Sequence, residues 1–330
     1  EEENKYLQSE NIVLKSSMKD RYRLGDIIGK SHVMQELYEL IVNAAASEHN
    51  VVIYGESGTG KELVARTIHT MSTRQRRAFV PVNCGAVSEA LFEREFFGHR
   101  RSAFTGADHD KPGFFDAAHQ GTLFLDEVGE LSAAMQVKLL RAIETGEYIP
   151  VGDNSSKHAD LRIISATNRH LGTLLQQGVL RNDFFYRVHV IEIMVPPLRD
   201  RKEDIPLLIE YFLKQLYPEG PIQRLPSKIE EFFYQYDWPG NVRELQNKLK
   251  RYVSTRQVDL FSPSSVPPAA VHKTALPENT DQTLHSAVET LEKQMITEAL
   301  VSNHWHKGNT AKMLGIPRKT LQRKMAKYSL

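Results

Sequence analysis

Gly55-Glu56-Ser57-Gly58-Thr59-Gly60-Lys61-Glu62 is a glycine-rich run ending in a lysine and an acid, and it follows the apolar stretch Val51–Tyr54. Glycines let backbone N–H groups close around phosphate oxygens, a following helix adds the positive end of its dipole, and Lys61 can reach the β and γ phosphates. Strand, loop, lysine and helix in that order describe a nucleotide site. The eighth position is ordinarily Ser or Thr, whose hydroxyl holds Mg2+; Glu62 departs from that pattern. Further on, Gly121-Thr122-Leu123-Phe124-Leu125 leads into Asp126-Glu127. Asp126 suits Mg2+, directly or through water, and Glu127 suits the task of orienting and deprotonating the water that attacks the γ phosphate. By themselves two acids after a strand are as readily a solvated loop, but behind a phosphate loop they point to hydrolysis rather than binding alone.

Such residues need a frame. From Val51 onward, short apolar runs (Val51–Tyr54, Phe79–Asn83, Thr122–Leu125, Leu161–Ala166, His189–Val195) alternate with helical patterns, which predicts a parallel sheet covered on both faces. An α/β unit is therefore expected over residues 21–195. After Pro196-Pro197 the strand signal ends, and Asp204–Leu216, Ser227–Tyr236 and Asn241–Thr255 read as helices of an all-helical unit at 196–255. Residues 256–283 carry Pro263, Pro267, Pro268 and Pro277 among Ser and Thr, a linker composition. At 284–330 an amphipathic helix, Leu284–Ser302, precedes short helices near Gly308–Leu314 and at Arg318–Tyr328. Pro317 suits the first turn of the last one. Leu7, Leu14 and Met18 in residues 1–20 fit the end of a coiled coil, or equally a solvated helix or linker.

The 330 residues hold 42 Lys and Arg against 41 Asp and Glu, and a formal charge of +1 taken whole argues against nucleic acid. The sum hides a split: Asn303–Leu330 has seven basic residues and no acid, which leaves 35 basic against 41 acidic upstream, or −6. A lone cysteine, Cys84, excludes an intrachain disulfide and suits a reducing compartment. The absence of a long apolar run argues against a membrane span, so a cytoplasmic protein is expected. A start at Glu1 rather than Met reads as a fragment of something longer.

With these motifs in place, the sequence resembles the bacterial enhancer-binding activators of sigma-54 RNA polymerase, whose motor is an AAA+ ATPase. The phosphate loop matches with its Glu62 included, so the missing hydroxyl is normal for that family. Other matches are Asn83-Cys84, Phe97-Gly98-His99, Ala103-Phe104-Thr105-Gly106-Ala107, Ala166-Thr167-Asn168, Arg181-Asn182-Asp183-Phe184-Phe185-Tyr186-Arg187 and Trp238-Pro239-Gly240-Asn241-Val242-Arg243-Glu244-Leu245. The likeness covers about residues 21–330. It implies an AAA+ parallel sheet with a helical lid, followed by a Fis-type helix-turn-helix.

The resemblance also implies roles. Ile28, Gly55 to Glu62, Asn168 and Arg243 would bind ATP, with Asn168 and Arg243 as the two sensors. Asp126 would hold Mg2+, and Asn83 would restrain Glu127, although an Asn after a strand is by itself more often a turn former. Arg181 and Arg187 would be fingers reaching a neighbour's ATP, six residues apart and so expected on similar faces of a helix. Ser102 to Ala107 would be the loop that touches sigma-54, with Phe104 as an apolar probe. Family members usually begin that loop with Gly; here Ser102 stands there, preceded by Arg100 and Arg101, and Ser lacks the backbone freedom of Gly. Arg318, Lys319, Thr320, Gln322, Arg323 and Lys327 would read a major groove, usually as a dimer on a palindrome. The implied protein is a DNA-bound ATPase that uses ATP and Mg2+, forms a dimer and then a hexameric ring, and remodels sigma-54 polymerase. Ser102 leaves room for a DNA-binding regulator that acts as a repressor or on another polymerase. An AAA+ machine of DNA metabolism or protein remodelling would leave the Phe104 loop and the terminal helices unexplained.

Overall fold

A computed structural model of the chain describes residues 22–216, 226–255 and 306–328, with 292, 293, 296, 297, 299 and 300. The coiled-coil reading of residues 1–20, the linker at 256–283, Trp305 and most of the helix at 284–302 lie outside the described residues. By contact the chain divides into two units, 1–266 and 267–330.

The first unit opens with a two-residue antiparallel pair, β1 (Arg23–Leu24) and β2 (Ile27–Ile28), and the helix α1 (His32–Ala46). Then come β3 (Val51–Tyr54), α2 (Lys61–Met71), β4 (Phe79–Asn83), α3 (Glu89–Phe97), α4 (Phe114–Ala117) and β5 (Thr122–Asp126). Next are α5 (Ala133–Thr145), the short pair β6 (Glu147–Tyr148) and β7 (Lys157–His158), β8 (Arg162–Thr167), α6 (Leu171–Gln176), α7 (Asn182–Val188) and β9 (Ile191–Met194). The sheet runs β4-β5-β8-β3-β9 with every pairing parallel. Its central strands are buried on both faces because successive side chains feed opposite cores. Val52, Leu123, Leu125 and Ile163 pack with Phe92, Phe115, Leu139 and Phe184 on one side. Val51, Ile53, Phe124 and Ile164 pack with Met34, Ile41, Val64 and Ile68 on the other.

The expected strands are found with small shifts. The run read as Leu161–Ala166 is β8, Arg162–Thr167, and it carries a buried arginine whose Nη2 donates to the Ala44 carbonyl at the end of α1, 2.6 Å away. The pairs β1–β2 and β6–β7 went unread because two residues carry no hydrophobic period.

Past Pro197 lies a 3-10 turn, Leu198–Asp204, then α8 (Ile205–Leu216), α9 (Ser227–Gln235) and α10 (Asn241–Thr255). Their core gathers Leu198, Ile205, Phe212, Phe233, Trp238, Leu245 and Leu249, together with Ile28 from β2. Trp238 is wholly buried and its indole N–H donates to the Phe233 carbonyl at 3.1 Å. The helical unit is therefore not a separate body: it shares one compact unit with the sheet.

The second unit contains α11 (Lys307–Met313) and α12 (Arg318–Tyr328), joined by a turn in which Gly315 has φ +64. Leu321 and Met325 of α12 pack with Ala311, Ile296 and Leu300. Among the described residues no helix is long and apolar enough to cross a membrane.

Candidate nucleotide site and its partner surfaces

Parallel strands deliver their carboxyl ends to one edge, and that edge is where open α/β sheets place their ligands. Here β3 runs into the phosphate loop, β5 ends at Asp126, and the sheet register sets Asn83 of β4 opposite Asp126. A cavity of about 800 Å3 lies against them. Its lining includes the polar stretch Ser57 to Glu62 with Asn83, Asp126, Glu127 and Arg243, and the apolar Ile27, Ile28, Met34, Leu37 and Phe212.

The loop keeps its shape through its own groups. Lys61 Nζ donates to the carbonyls of Gly55 (2.9 Å) and Glu56 (3.2 Å). Burial pushes the ammonium of Lys61 below its usual pKa, while the Glu127 and Asp126 carboxylates pull it back up. The two acids and the lysine therefore feel one another across the cavity. Gly58 has φ +80, and a Cβ there would lie 2.4 Å from the Gly240 carbonyl, so only glycine lets the helical lid approach this closely. Glu127 has left-handed backbone angles (φ +54, ψ +45), an uncommon conformation for a side-chain-bearing residue.

The lid grips the loop directly. Arg243 Nη1 donates to Ser57 Oγ at 3.1 Å and its backbone N–H to Gly58 O at 3.3 Å. Asn241, buried and also at positive φ (+51), donates from Nδ2 to Glu56 Oε2 and Ser57 O, both at 3.1 Å, and accepts from the Leu198 N–H at 2.8 Å. Arg199 clasps Glu56 with two bonds. Glu56 thus turns to the lid and lies outside the cavity lining.

Gly55 and Asn168 also lie outside that lining. Gly55 N–H donates to Thr167 O at 3.3 Å, which sets exposed Asn168 one residue beyond the start of the loop. Asn83 is exposed and accepts from Ala86 N–H at 3.2 Å, so the turn-forming use weighed for it is realised at the cavity's rim. Glu62 lines the cavity while its carboxylate pairs with Arg66 at 2.9 Å along α2. For Mg2+ the donor set fits: the ion takes one or two carboxylates plus phosphate oxygens and water, and the Asp126 carboxylate lines the same cavity as the phosphate loop. Among the described residues no three His, Cys, Asp or Glu gather into a metal cage.

Arg181 and Arg187 are both exposed and outside this chain's own cavity lining. The expectation of a shared helical face is corrected: Arg181 is the extended residue capping α7, and Arg187 lies in its last turn. Even within a helix, six residues would carry a side chain about 120° away. Arg181 forks onto Asp183 (2.7 and 3.1 Å), and Arg187 Nη2 reaches Ile143 O at 3.1 Å.

In the loop, Ser102 has φ +64, the left-handed region where the expected glycine would sit without strain. Ser102 N–H donates to Ala107 O at 2.8 Å and Ala107 N–H to Phe104 O at 3.1 Å, closing the tip around Thr105 and Gly106. Arg100 ion-pairs with Asp110 and Asp153, both at 2.7 Å, at the foot of the loop. Phe104 is half-buried against the His99 ring (centroids 4.9 Å apart) and beneath Arg94 (5.3 Å), so the expected probe is folded onto its own unit. Ala103 packs against Gly152 of the β6–β7 connection. In the second unit, Arg318, Lys319, Gln322, Arg323 and Lys327 are exposed and Thr320 is half-buried. Lys324 on the same helix pairs with Glu292 instead. His306 is exposed, and its ring accepts from Asn309 N–H and so caps α11.

Residues 27–194 match the sigma-54 interaction domain, 199–283 the AAA+ ATPase lid domain, and 287–328 the Fis family of bacterial regulatory proteins. The chain belongs to the sigma-54 activator family. Its relatives in that family include nitrogen fixation protein AnfA of Azotobacter vinelandii, 40% identical over 326 residues, with 98% of this chain and 61% of AnfA covered. Another is transcriptional regulatory protein ZraR of Escherichia coli K12, 43% identical over 303 residues, with 91% of this chain and 68% of ZraR covered. The chain thus spans 61% and 68% of the length of these two relatives. The crystal structure of NtrX from Brucella abortus in complex with ATP superposes with a TM-score of 0.66 at 32% identity, over 99% of this chain and 73% of NtrX. The sigma-54 interaction match spans the Ser102 loop and does not favour a regulator working without sigma-54. The lid match runs to residue 283, across the stretch whose composition reads as linker.

Three residues of the site, Arg199, Arg201 and Asn241, are not singled out by the sequence alone. A signal existed, since Leu198-Arg199-Asp200-Arg201 interrupts the chain with charge between two prolines and an apolar helix. Asn241 lay inside a quoted motif, but nothing in its neighbours says that its amide faces the phosphate loop.

Proposed function

We propose that this chain is the motor and DNA-binding portion of a sigma-54-dependent activator, which hydrolyses ATP between subunits of a cytoplasmic ring to remodel sigma-54 RNA polymerase at a promoter. The observation that carries the reading is the meeting, in one cavity, of the phosphate loop, Asp126, Glu127 and the lid's Arg243. Lys61 and the N–H groups at the start of α2 hold the phosphates. The Glu127 carboxylate takes the proton of a water as its oxygen attacks the γ phosphorus, the bond to the β–γ bridging oxygen breaks, and ADP and phosphate leave. Asp126 would hold Mg2+, which would supply positive charge against the polyphosphate.

Arg181 and Arg187, exposed and outside this chain's own cavity, are placed in the proposal as fingers for a neighbouring subunit's ATP, which makes hydrolysis depend on assembly. A hexamer is the expected ring. Arg243 would then report the nucleotide's state to the lid, and the Ser102 to Ala107 loop would carry the stroke to sigma-54. The exposed α12 residues would hold the activator on enhancer DNA as a dimer.

The test is promoter opening by purified sigma-54 holoenzyme with ATP, comparing the intact protein with Glu127→Gln. Opening by the intact protein alone is expected. Opening by neither overturns the reading of a motor, and opening by both shows hydrolysis to be dispensable.

A further inference from the structure

Arg201 occupies an unusual position for a charged side chain. It lies in the Leu198–Asp204 turn, at a non-helical kink (φ −134, ψ +44), and is only 3% exposed. Its Nη2 donates to Thr59 O at 3.2 Å, its Nη1 lies 2.9 Å from Met34 Sδ, and its Nε is buried with no hydrogen-bond partner among the described residues. No carboxylate among the described residues comes within ion-pairing distance. The nearby Asp204 is itself fully buried and accepts from the Lys30 and Ser31 N–H groups and the Ser31 hydroxyl. The Asp204 charge offsets part of the cost of burying the guanidinium without bonding to it, and a buried donor left without a partner calls for an explanation.

Arg201 borders the nucleotide cavity, and its one carbonyl partner belongs to the phosphate loop. The C=O and N–H of a trans peptide point in opposite directions. Holding the Thr59 carbonyl toward Arg201 therefore turns the N–H of Gly60 the other way. Gly60 caps α2, whose first N–H groups have no partner inside the helix and are free for an anion. A charged donor on the carbonyl also polarises that peptide and strengthens its N–H as a donor.

We propose that Arg201 is a positioning residue for the polyphosphate of the bound nucleotide, acting through the Thr59–Gly60 peptide. The inference rests on the nucleotide reading of the cavity and adds to it. Because Arg201 lies on the turn that starts the lid, the same bond links the lid's root to the phosphate loop. Asp204 fastens the other end of that turn to the start of α1.

The experiment displaces a fluorescent ADP analogue from the full chain with ATP, ADP or adenosine, for the unaltered protein, Arg201→Gln and Arg201→Lys. The expected result is a loss of about ten-fold in ATP and ADP affinity for Arg201→Gln, the scale of one charge-assisted hydrogen bond. Adenosine, which has no phosphate, should keep its affinity, and Arg201→Lys should recover part of the loss. Equal losses for all three ligands would mean general damage and overturn the proposal, as would unchanged ATP and ADP binding. Should Arg201→Gln not fold, Arg201→Lys decides by the same comparison: a loss confined to ATP and ADP supports the role, and any other pattern overturns it. Failure of the unaltered protein to bind ATP would instead sink the nucleotide reading itself.

Discussion

Arg199 and Glu56 face each other as a two-pronged pair, with Nη2 2.6 Å from Oε1 and Nη1 2.9 Å from Oε2, and so join the root of the lid to the second residue of the phosphate loop. Asn241 adds a third bond to the same carboxylate. The loop that holds the nucleotide and the helices that close over it therefore share one acidic residue.

This junction should respond to acid. The bonds from Arg199 hold the Glu56 carboxyl below its ordinary pKa; burial opposes them, and the bond from Asn241 and the Arg199 charge add smaller downward pulls. A folded value below the unfolded one means that the junction contributes stability above the unfolded pKa and loses it as pH falls through the folded value. Thermal unfolding of the unaltered protein and Glu56→Gln should differ at neutral pH and converge as pH falls below the ordinary carboxylate range, through the depressed folded value. Both partners are partly exposed, so a double-mutant cycle of Glu56→Ala with Arg199→Ala should give no more than about 1 kcal/mol of coupling.

Glu127→Gln keeps the size of the side chain and removes its basicity. ATP binding should survive, with hydrolysis falling about 10²–10⁴-fold in steady-state assays, the usual contribution of a general base. A variant that loses binding and turnover together would remove Glu127 from that role.

Ser102→Gly should relieve the strain of φ +64, worth about 1 kcal/mol, without touching the cavity. ATPase activity is expected to be unchanged and promoter opening preserved or raised. Loss of ATPase activity in this variant would count against the assignment of the loop.

Arg187→Ala and Lys61→Ala should each be inactive alone, because one lacks the finger and the other the phosphate anchor. Mixing the two should restore a fraction of the ATPase rate, since an intact Arg187 from one chain can serve an intact loop on the other. A mixture as inactive as its parts argues that Arg187 does not act in trans.

On α12, Arg323 is exposed whereas Lys324 is held by Glu292. Arg323→Ala should weaken DNA binding and lower the slope of log affinity against log salt by about one. Lys324→Ala should leave that slope unchanged and act on stability alone, as read by thermal unfolding.

The phosphate loop, the two acids after β5 and the alternation of strands and helices were legible in the sequence because each depends on neighbours along the chain. Glycine spacing, an apolar run and a terminal lysine suffice to specify strand, loop and helix without any distant contact. The basic end was legible for the same reason, once the charge was read by segment rather than summed. Arrangements across the chain were not legible. Glu56 looks like another loop residue until the lid sets Arg199 and Asn241 against it, and Phe104 looks like an exposed probe until His99 and Arg94 fold around it. Arg201 looks like a surface charge until the turn after Pro197 buries it under Thr59. Spacing along the chain carries local geometry, whereas the partner of a buried or paired charge is chosen by packing between segments far apart in sequence, and only the tertiary structure decides that.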